Sequence, residues 1–240
     1  QTRKPDLIVL VADGPLDESQ LKVIERRKAD CGDVFNVVEL PENRGLAVAL
    51  NEGLKHCTYD IVARMDADDI SLPERFQKQL SFLEQNPEID VLGTLVRERD
   101  LETGEVTLRS VPTDHDAILR FARKRCPVSH PSVMFRKAAV IEVGGYPHYR
   151  KWQDYALWSL MLMRGYRFAN VNEVLLEMTA GRSMMMRRGL GYFRYEFTVM
   201  FFQWRIGLLS FSTFLFNSVG RFIVRAAPVK VRSIIYRRVR

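Results

Sequence analysis

The stretch DIVARMDADDISLPERFQKQL, residues 60–80, decides the fold. Residues 61–65 form an apolar run too short for a helix, and it ends on three carboxylates, Asp66, Asp68 and Asp69. Pro73 then stands in the first turn of a helical pattern that continues to Gln85, a position where its missing N–H costs nothing. The same alternation lies upstream. Residues 7–12 (LIVLVA) read as a buried strand ending at Asp13-Gly14-Pro15, residues 17–28 as a helix, residues 34–40 as a strand and residues 45–57 as a helix. Strands alternating with helices of this length imply βαβ crossovers, hence an α/β fold with a mainly parallel central sheet flanked by helices. Such sheets bind ligands beyond the carboxyl ends of their strands.

Downstream of residue 90 the pattern loosens. Residues 90–100 and 105–111 read as strands around a turn at 102–104, residues 114–123 as a helix, 132–136 as a strand and 153–164 as a helix, with a last strand within 167–178. No repeat or linker separates the halves, so the second half is expected to complete the same sheet and wall a cleft.

Charge divides the 240 residues unevenly. Residues 1–181 hold 24 Lys/Arg against 28 Asp/Glu, whereas residues 182–240 hold 12 Lys/Arg against Glu196 alone. A mildly acidic body thus precedes a basic, aromatic-rich tail. The most apolar window, residues 197–216, is long enough to span a bilayer, but Gln203 and Arg205 interrupt it, and a mid-membrane arginine is costly. An amphipathic helix in a membrane interface is the cheaper reading, with Arg187, Arg188, Arg194, Arg221 and Arg225 near anionic headgroups. A helical hairpin packed on the body is the alternative. Nucleic acid suits the acidic body poorly. The three cysteines form no C-x-x-C pair, and residues 1–6 carry no apolar leader, so a reducing cytoplasm is expected.

Asp66 and Asp68, two apart on extended backbone, can face one hard divalent cation such as Mn²⁺ or Mg²⁺. A second D-x-D, Asp114-His115-Asp116, opens a helical pattern and reads as an N-cap. There is no G-x-G-x-x-G, P-loop, G-x-S-x-G or H-E-x-x-H, which lowers hydride transfer, ATP hydrolysis, serine hydrolysis and zinc proteolysis.

Together, PENRGLAVALNEGL (41–54), the 60–80 stretch, HPSVMFRKAAV (130–140) with VGGY (143–146), and WQDYALW (152–158) resemble the family 2 glycosyltransferases of GT-A fold. The bacterial enzymes that build exopolysaccharide, capsule and O-antigen units are most similar. The resemblance covers roughly residues 1–180, which sets a glycosyltransferase domain at residues 1–181, and implies inverting transfer from a nucleotide diphospho-sugar to a lipid-linked or saccharide acceptor, with a divalent metal. It implies that Asp13, Arg44, Asn51 and Asp66 face the donor nucleotide, that Asp68 holds the metal and that Asp154 is the catalytic base. His130, Gly144 and Gly145 would line the acceptor side. A peripheral site at the inner face of the cell membrane follows for the tail, residues 182–240. Two departures stand out: family members carry a strand and helix before the position of Gln1, so the chain is expected to lack them, and Gln153 and Ala156 replace frequent acidic residues. The competing readings are a sugar nucleotidyltransferase, for which a Gly-rich, Arg-containing phosphate loop is missing, and a non-catalytic membrane-associated assembly protein.

Overall fold

The computed structural model describes residues 1–101, 103–180 and 190–227. Strands β1 (Ile8–Asp13), β2 (Phe35–Leu40), β3 (Ile61–Ala63), β4 (Ile70–Ser71), β5 (Val91–Asp100), β6 (Val106–Arg109), β7 (Met134–Arg136) and β8 (Phe168–Ala180) alternate with helices. The helices are α1 (Glu18–Cys31), α2 (Leu46–His56), α3 (Arg75–Gln85), α4 (His115–Ala122), α5 (Lys137–Glu142), α6 (Gln153–Met163), α7 (Leu190–Arg205) and α8 (Phe211–Ala226). Local chemistry sets many of the ends. Asp17 caps α1 in a reciprocal box with Gln20, and Asp114 caps α4 by accepting from the Ala117 N–H at 2.9 Å.

The α/β class expected from the sequence holds, but strand direction is more mixed than the expected mainly parallel sheet. β1 and β2 pair in parallel as a separate ribbon. The larger sheet runs β3-β7-β5-β8-β4, and its only parallel pairing among the described residues is β5 with β8. β6 folds back antiparallel on the outer part of β5. For β6 the cause lies in the connection: a tight turn joins it to β5, and only antiparallel strands can be joined so closely. Residue 102 of the expected 102–104 turn lies outside the described residues.

The apolar run of β1, read as a buried strand, is only half-buried from Ile8 to Val11. Among the described residues β1 pairs with β2 alone and β3 with β7 alone, so one edge of each has no described strand beside it. The main core lies around Trp158, fully buried, whose indole packs against the rings of Phe135, Tyr146 and Phe168. A second cluster, Leu83, Ile89, Leu92, Met134 and Ala169, with Phe76 and Leu80 against it, includes the inner face of α3.

The 197–216 window is not one helix. α7 ends at Arg205, the chain turns through Gly207 at φ +85°, and α8 begins at Phe211 with Ser210 as its cap. No helix among the described residues is long and apolar enough to cross a membrane. The hairpin packs on the body: Val199 and Leu208 join the main core, and the Gln203 amide donates to Ser159 Oγ at 2.9 Å. Arg221 and Arg225, expected near headgroups, turn inward instead onto the buried Glu196 at 3.0 and 2.6 Å. A carboxylate in a dry helix–helix seam requires such partners. Arg187 and Arg188 lie outside the described residues.

Candidate active site

The acidic loop is strung across the strand ends. The Arg64 N–H still pairs with the Val133 carbonyl, after which residues 64–69 carry the chain from β3 to β4, at opposite ends of the strand order. At about 4.8 Å per strand the four intervals amount to about 19 Å, which only a nearly extended link could cross; residues 66–69 turn instead, the Asp69 N–H meeting the Asp66 carbonyl at 3.3 Å, so the sheet curls. Carboxylate oxygens of Asp66, Asp68 and Asp69 come within 4.8 Å of one another. Asp69, beyond the expected Asp66 and Asp68 pair, is the most enclosed, and its Oδ2 is buried without a hydrogen-bond partner. Burial first, and then the charges of Asp66 and Asp68, push its pKa up to about 6. An all-oxygen, anionic set that repels itself and leaves a buried oxygen unpaired fits a hard divalent cation.

Beneath the loop lies a polar brace. Arg75, fully buried, donates to the Arg64 carbonyl at 2.8 Å and to Gln79 Oε1 at 2.9 Å, while Gln79 reaches the carbonyls of Leu92 and Ser132. Burial and the Arg64 charge lower the Arg75 pKa to about 10, which leaves it cationic at neutral pH. Arg64 is also buried; one Nη bonds Asp66, whereas Nε and the other Nη have no hydrogen-bond partner. Its positive charge acts on Asp154, His130 and Tyr146 as well.

Asp154 stands in the first turn of α6, directed by Trp152, whose φ of +65° is strained for a bulky residue. Its side chain keeps some exposure. Desolvation nevertheless raises its pKa above the ordinary carboxylate value, against the opposing pull of its own and the Tyr155 N–H, Arg109 and Arg64. The Cys126 thiol lies 4.0 Å from Asp154 Oδ2, and burial drives its pKa upward, so it is a protonated neighbour rather than a nucleophile.

The remaining expected residues are placed as follows. Asp13 accepts the Arg44 N–H at 2.7 Å and the Gly45 N–H at 2.8 Å, one on each oxygen, and so caps α2 from outside the helix. The Arg44 side chain is exposed at that corner. Asn51 is spent on backbone: its amide donates to the Tyr146 carbonyl at 2.9 Å and accepts the Tyr146 N–H at 2.7 Å. It thereby ties α2 to the Gly144-Gly145 turn. His130 is buried, its pKa held well below normal by desolvation and by Arg64, and its Nε2 lies 3.1 Å from the Tyr146 hydroxyl. A recess of about 450 Å³ opens at the ends of β1 and β2, lined by Ala12, Gly14, Leu40 and Pro41 among others.

The Gly145 turn yields a direct test. Gly145 has φ +75°, and a Cβ there would lie 2.5 Å from Asn51 Oδ1, whereas Gly144, at φ +95°, faces open space. Gly145→Ala is expected to cost about 1–3 kcal/mol and more than Gly144→Ala, measured by urea unfolding.

Arg64 and Arg75 were not singled out by sequence reasoning, whereas Tyr146 entered with the Gly144-Gly145 segment matched to the acceptor side and Asp69 was read as the third carboxylate of the loop, without a role of its own. Neither arginine carried a local signal.

A curled α/β sheet with a cation-competent acidic loop after β3 and a desolvated carboxylate in the first turn of α6 is the arrangement expected of a GT-A glycosyltransferase. Residues 1–144 match the profile of Glycosyl transferase family 2, and the chain belongs to that family. It is 40% identical to the amylovoran biosynthesis glycosyltransferase AmsE of Erwinia amylovora, over 98% of this chain and 88% of that protein. It is 32% identical to an Escherichia coli UDP-Gal:alpha-D-GlcNAc-diphosphoundecaprenol beta-1,3-galactosyltransferase, over 99% of this chain and 86% of that protein. In fold it resembles S. aureus TarS 1-349 in complex with UDP-GlcNAc (TM-score 0.64, 16% identity, 92% of this chain and 64% of that one). It also resembles the mannosyltransferase PcManGT from Pyrobaculum calidifontis in complex with GDP-Man and Mn²⁺ (TM-score 0.59, 18% identity, 97% and 70%).

Proposed function

We propose that this glycosyltransferase inverts: it moves a sugar from a nucleotide diphospho-sugar, a UDP-sugar, to a lipid-linked or oligosaccharide acceptor in bacterial surface polysaccharide synthesis, at the inner face of the cell membrane. The names of the E. coli and E. amylovora relatives support the donor, the lipid-linked acceptor and the polysaccharide setting. The observation that carries the reading is electrostatic. The charges of Asp154 and Asp66, 88 positions apart, both reach the Tyr146 phenol, which supports a desolvated carboxylate in the neighbourhood of the acidic loop.

Asp154 takes the proton of the acceptor hydroxyl as that oxygen forms its bond to the anomeric carbon. The bond from that carbon to the diphosphate oxygen breaks, and the nucleotide diphosphate leaves with the electron pair. One base suffices, because no covalent sugar–enzyme intermediate is formed. The raised pKa strengthens Asp154 as a base, and Asp13 and Arg44 frame the donor side. Asp66, Asp68 and Asp69 would hold Mn²⁺ or Mg²⁺, which when bound offsets the charge on the diphosphate.

Titration of UDP with and without Mn²⁺ tests this reading. Asp68→Asn is expected to weaken the Mn²⁺-dependent part of UDP binding by about tenfold, since an amide is a poorer ligand for a hard cation. UDP affinity indifferent to both Mn²⁺ and the substitution would overturn it.

A further inference from the structure

α8 shows three faces. Phe214, Ser218 and Arg225 are buried against α7, while Asn217 and Arg221 reach the carbonyls of Arg123 and Lys124 on the body. The third face is turned to solvent, meeting α7 only along one edge. It carries Phe211 (60% exposed), Leu215, Phe216 (78%), Val219, Phe222 and Ile223 (62%), with no charged residue among them. At 100° per residue these six side chains cover an arc of about 140°. α7 extends the surface with exposed Leu190, Phe197 and Phe201. Ring contacts close the seam, Phe193 to Phe222 at 5.4 Å and Trp204 to Phe211 at 5.7 Å, so the two faces form one apolar surface. Soluble monomers rarely leave so large a contiguous patch to water.

The exposed charges of the hairpin, among the described residues, have one sign. Arg194 and Arg205 stand exposed on α7, on the same side as Phe201. The only carboxylate of residues 182–240, Glu196, is buried and engaged by Arg221 and Arg225. The folding of the hairpin therefore removes the one negative charge from the surface and leaves an apolar face bordered by arginines. This complements an anionic bilayer, with aromatic rings at the acyl boundary and guanidinium groups at the phosphates.

We propose that the outer face of the α7–α8 hairpin, centred on Phe216 and Ile223, lies in the interface of an anionic lipid bilayer and is the surface by which the protein meets its membrane. This rests on the membrane setting proposed above and names the residues that make the contact. Arg205, an obstacle to a spanning helix, becomes a headgroup ligand, whereas Arg221 and Arg225 serve as internal ties.

The test is co-sedimentation of the full chain with vesicles of phosphatidylglycerol and phosphatidylcholine, and with phosphatidylcholine alone. Point variants are needed, because deleting the hairpin would strip Val199 and Leu208 from the core. Phe216→Glu with Ile223→Glu is expected to lower partition into anionic vesicles by about tenfold or more. Arg194→Glu with Arg205→Glu should remove the preference for anionic over neutral vesicles. Melting temperature and UDP affinity should stay unchanged in both. Vesicle binding undiminished by Phe216→Glu/Ile223→Glu overturns the proposal. So does a wild-type protein that ignores vesicles and forms a dimer that this variant dissolves, since the face would then belong to a second copy. Vesicle partition requires no sugar transfer, so loss of the glycosyl-transfer reading would leave this result standing, and the reverse.

Discussion

Asp154→Asn is expected to lower the rate of sugar transfer by about 10²-fold or more, because the amide keeps the shape and loses the proton acceptor. UDP affinity should hardly change, since the acidic loop that would face the diphosphate is untouched. Stability separates this role from a plain helix-terminal charge, whose removal costs about 0.3–1 kcal/mol. Here desolvation, the largest influence, raises the Asp154 pKa despite the helix N–H groups. A carboxylate whose folded pKa exceeds its unfolded value makes the fold lose stability as pH rises from the unfolded to the folded pKa. Above that window the ionised group is a standing cost. The variant should therefore melt no lower than wild type at neutral pH, and any advantage should vanish as acid protonates Asp154 in the wild type. The wild-type rate should fall on the acid side at a pH above the ordinary aspartate value of 3.8. Transfer rate, UDP affinity and melting temperature, each read at neutral and mildly acidic pH, check this. A variant that transfers at near wild-type rate removes Asp154 from the mechanism.

The parts of this molecule legible in its sequence are those fixed by neighbours in the chain. Alternating β-branched runs and helical patterns gave the strands and helices nearly to their ends, and the run Asp66-Ala67-Asp68-Asp69 announced an acidic loop because a strand stops there. Strand direction was less legible, since tight connections such as the one between β5 and β6 set it, and periodicity alone does not report them. Side-chain roles that depend on distant partners were not visible. Asp13 and Asn51 carry no sign that their polar atoms serve the backbone of Arg44, Gly45 and Tyr146, the last lying 95 positions from Asn51. Arg64 reads as part of an apolar strand, yet it is a buried cation bonded to Asp66 whose charge also reaches Asp154. The short α5 went unread because its six residues offer less than two turns of pattern. The 197–216 window was only partly legible because composition averages over the bend at Gly207, which divides it between two helices, each with an inward and an outward face.

Glu196→Gln carries the largest expected effect on stability. Glu196 is 2% exposed and Arg225 6%, and the two meet at 2.6 Å in the seam between α7 and α8. Removing the carboxylate leaves Arg225 buried and cationic without its counter-charge, which costs about 3–5 kcal/mol in comparable sites. For a chain of this size that corresponds to a melting temperature lower by roughly 6–20 °C. The damage should extend beyond the hairpin. Arg221, also tied to Glu196, donates to the Lys124 carbonyl at 2.9 Å and lies 5.9 Å over the ring of Trp152, the N-cap residue of α6 two positions before Asp154. Freed from Glu196, Arg221 loses one of the contacts that hold it over Trp152, so transfer activity should fall at temperatures where the protein is still folded. Glu196→Met combined with Arg225→Met supplies the control: it replaces the pair with apolar groups of similar length and should recover most of the lost stability, as buried pairs elsewhere do when both partners are replaced. If thermal unfolding shows the single variant within about 1 kcal/mol of wild type, within the range of an exposed pair, Glu196 is solvated in solution. The hairpin would then be held by its aromatic seam and by its contacts with the body rather than by this ion pair.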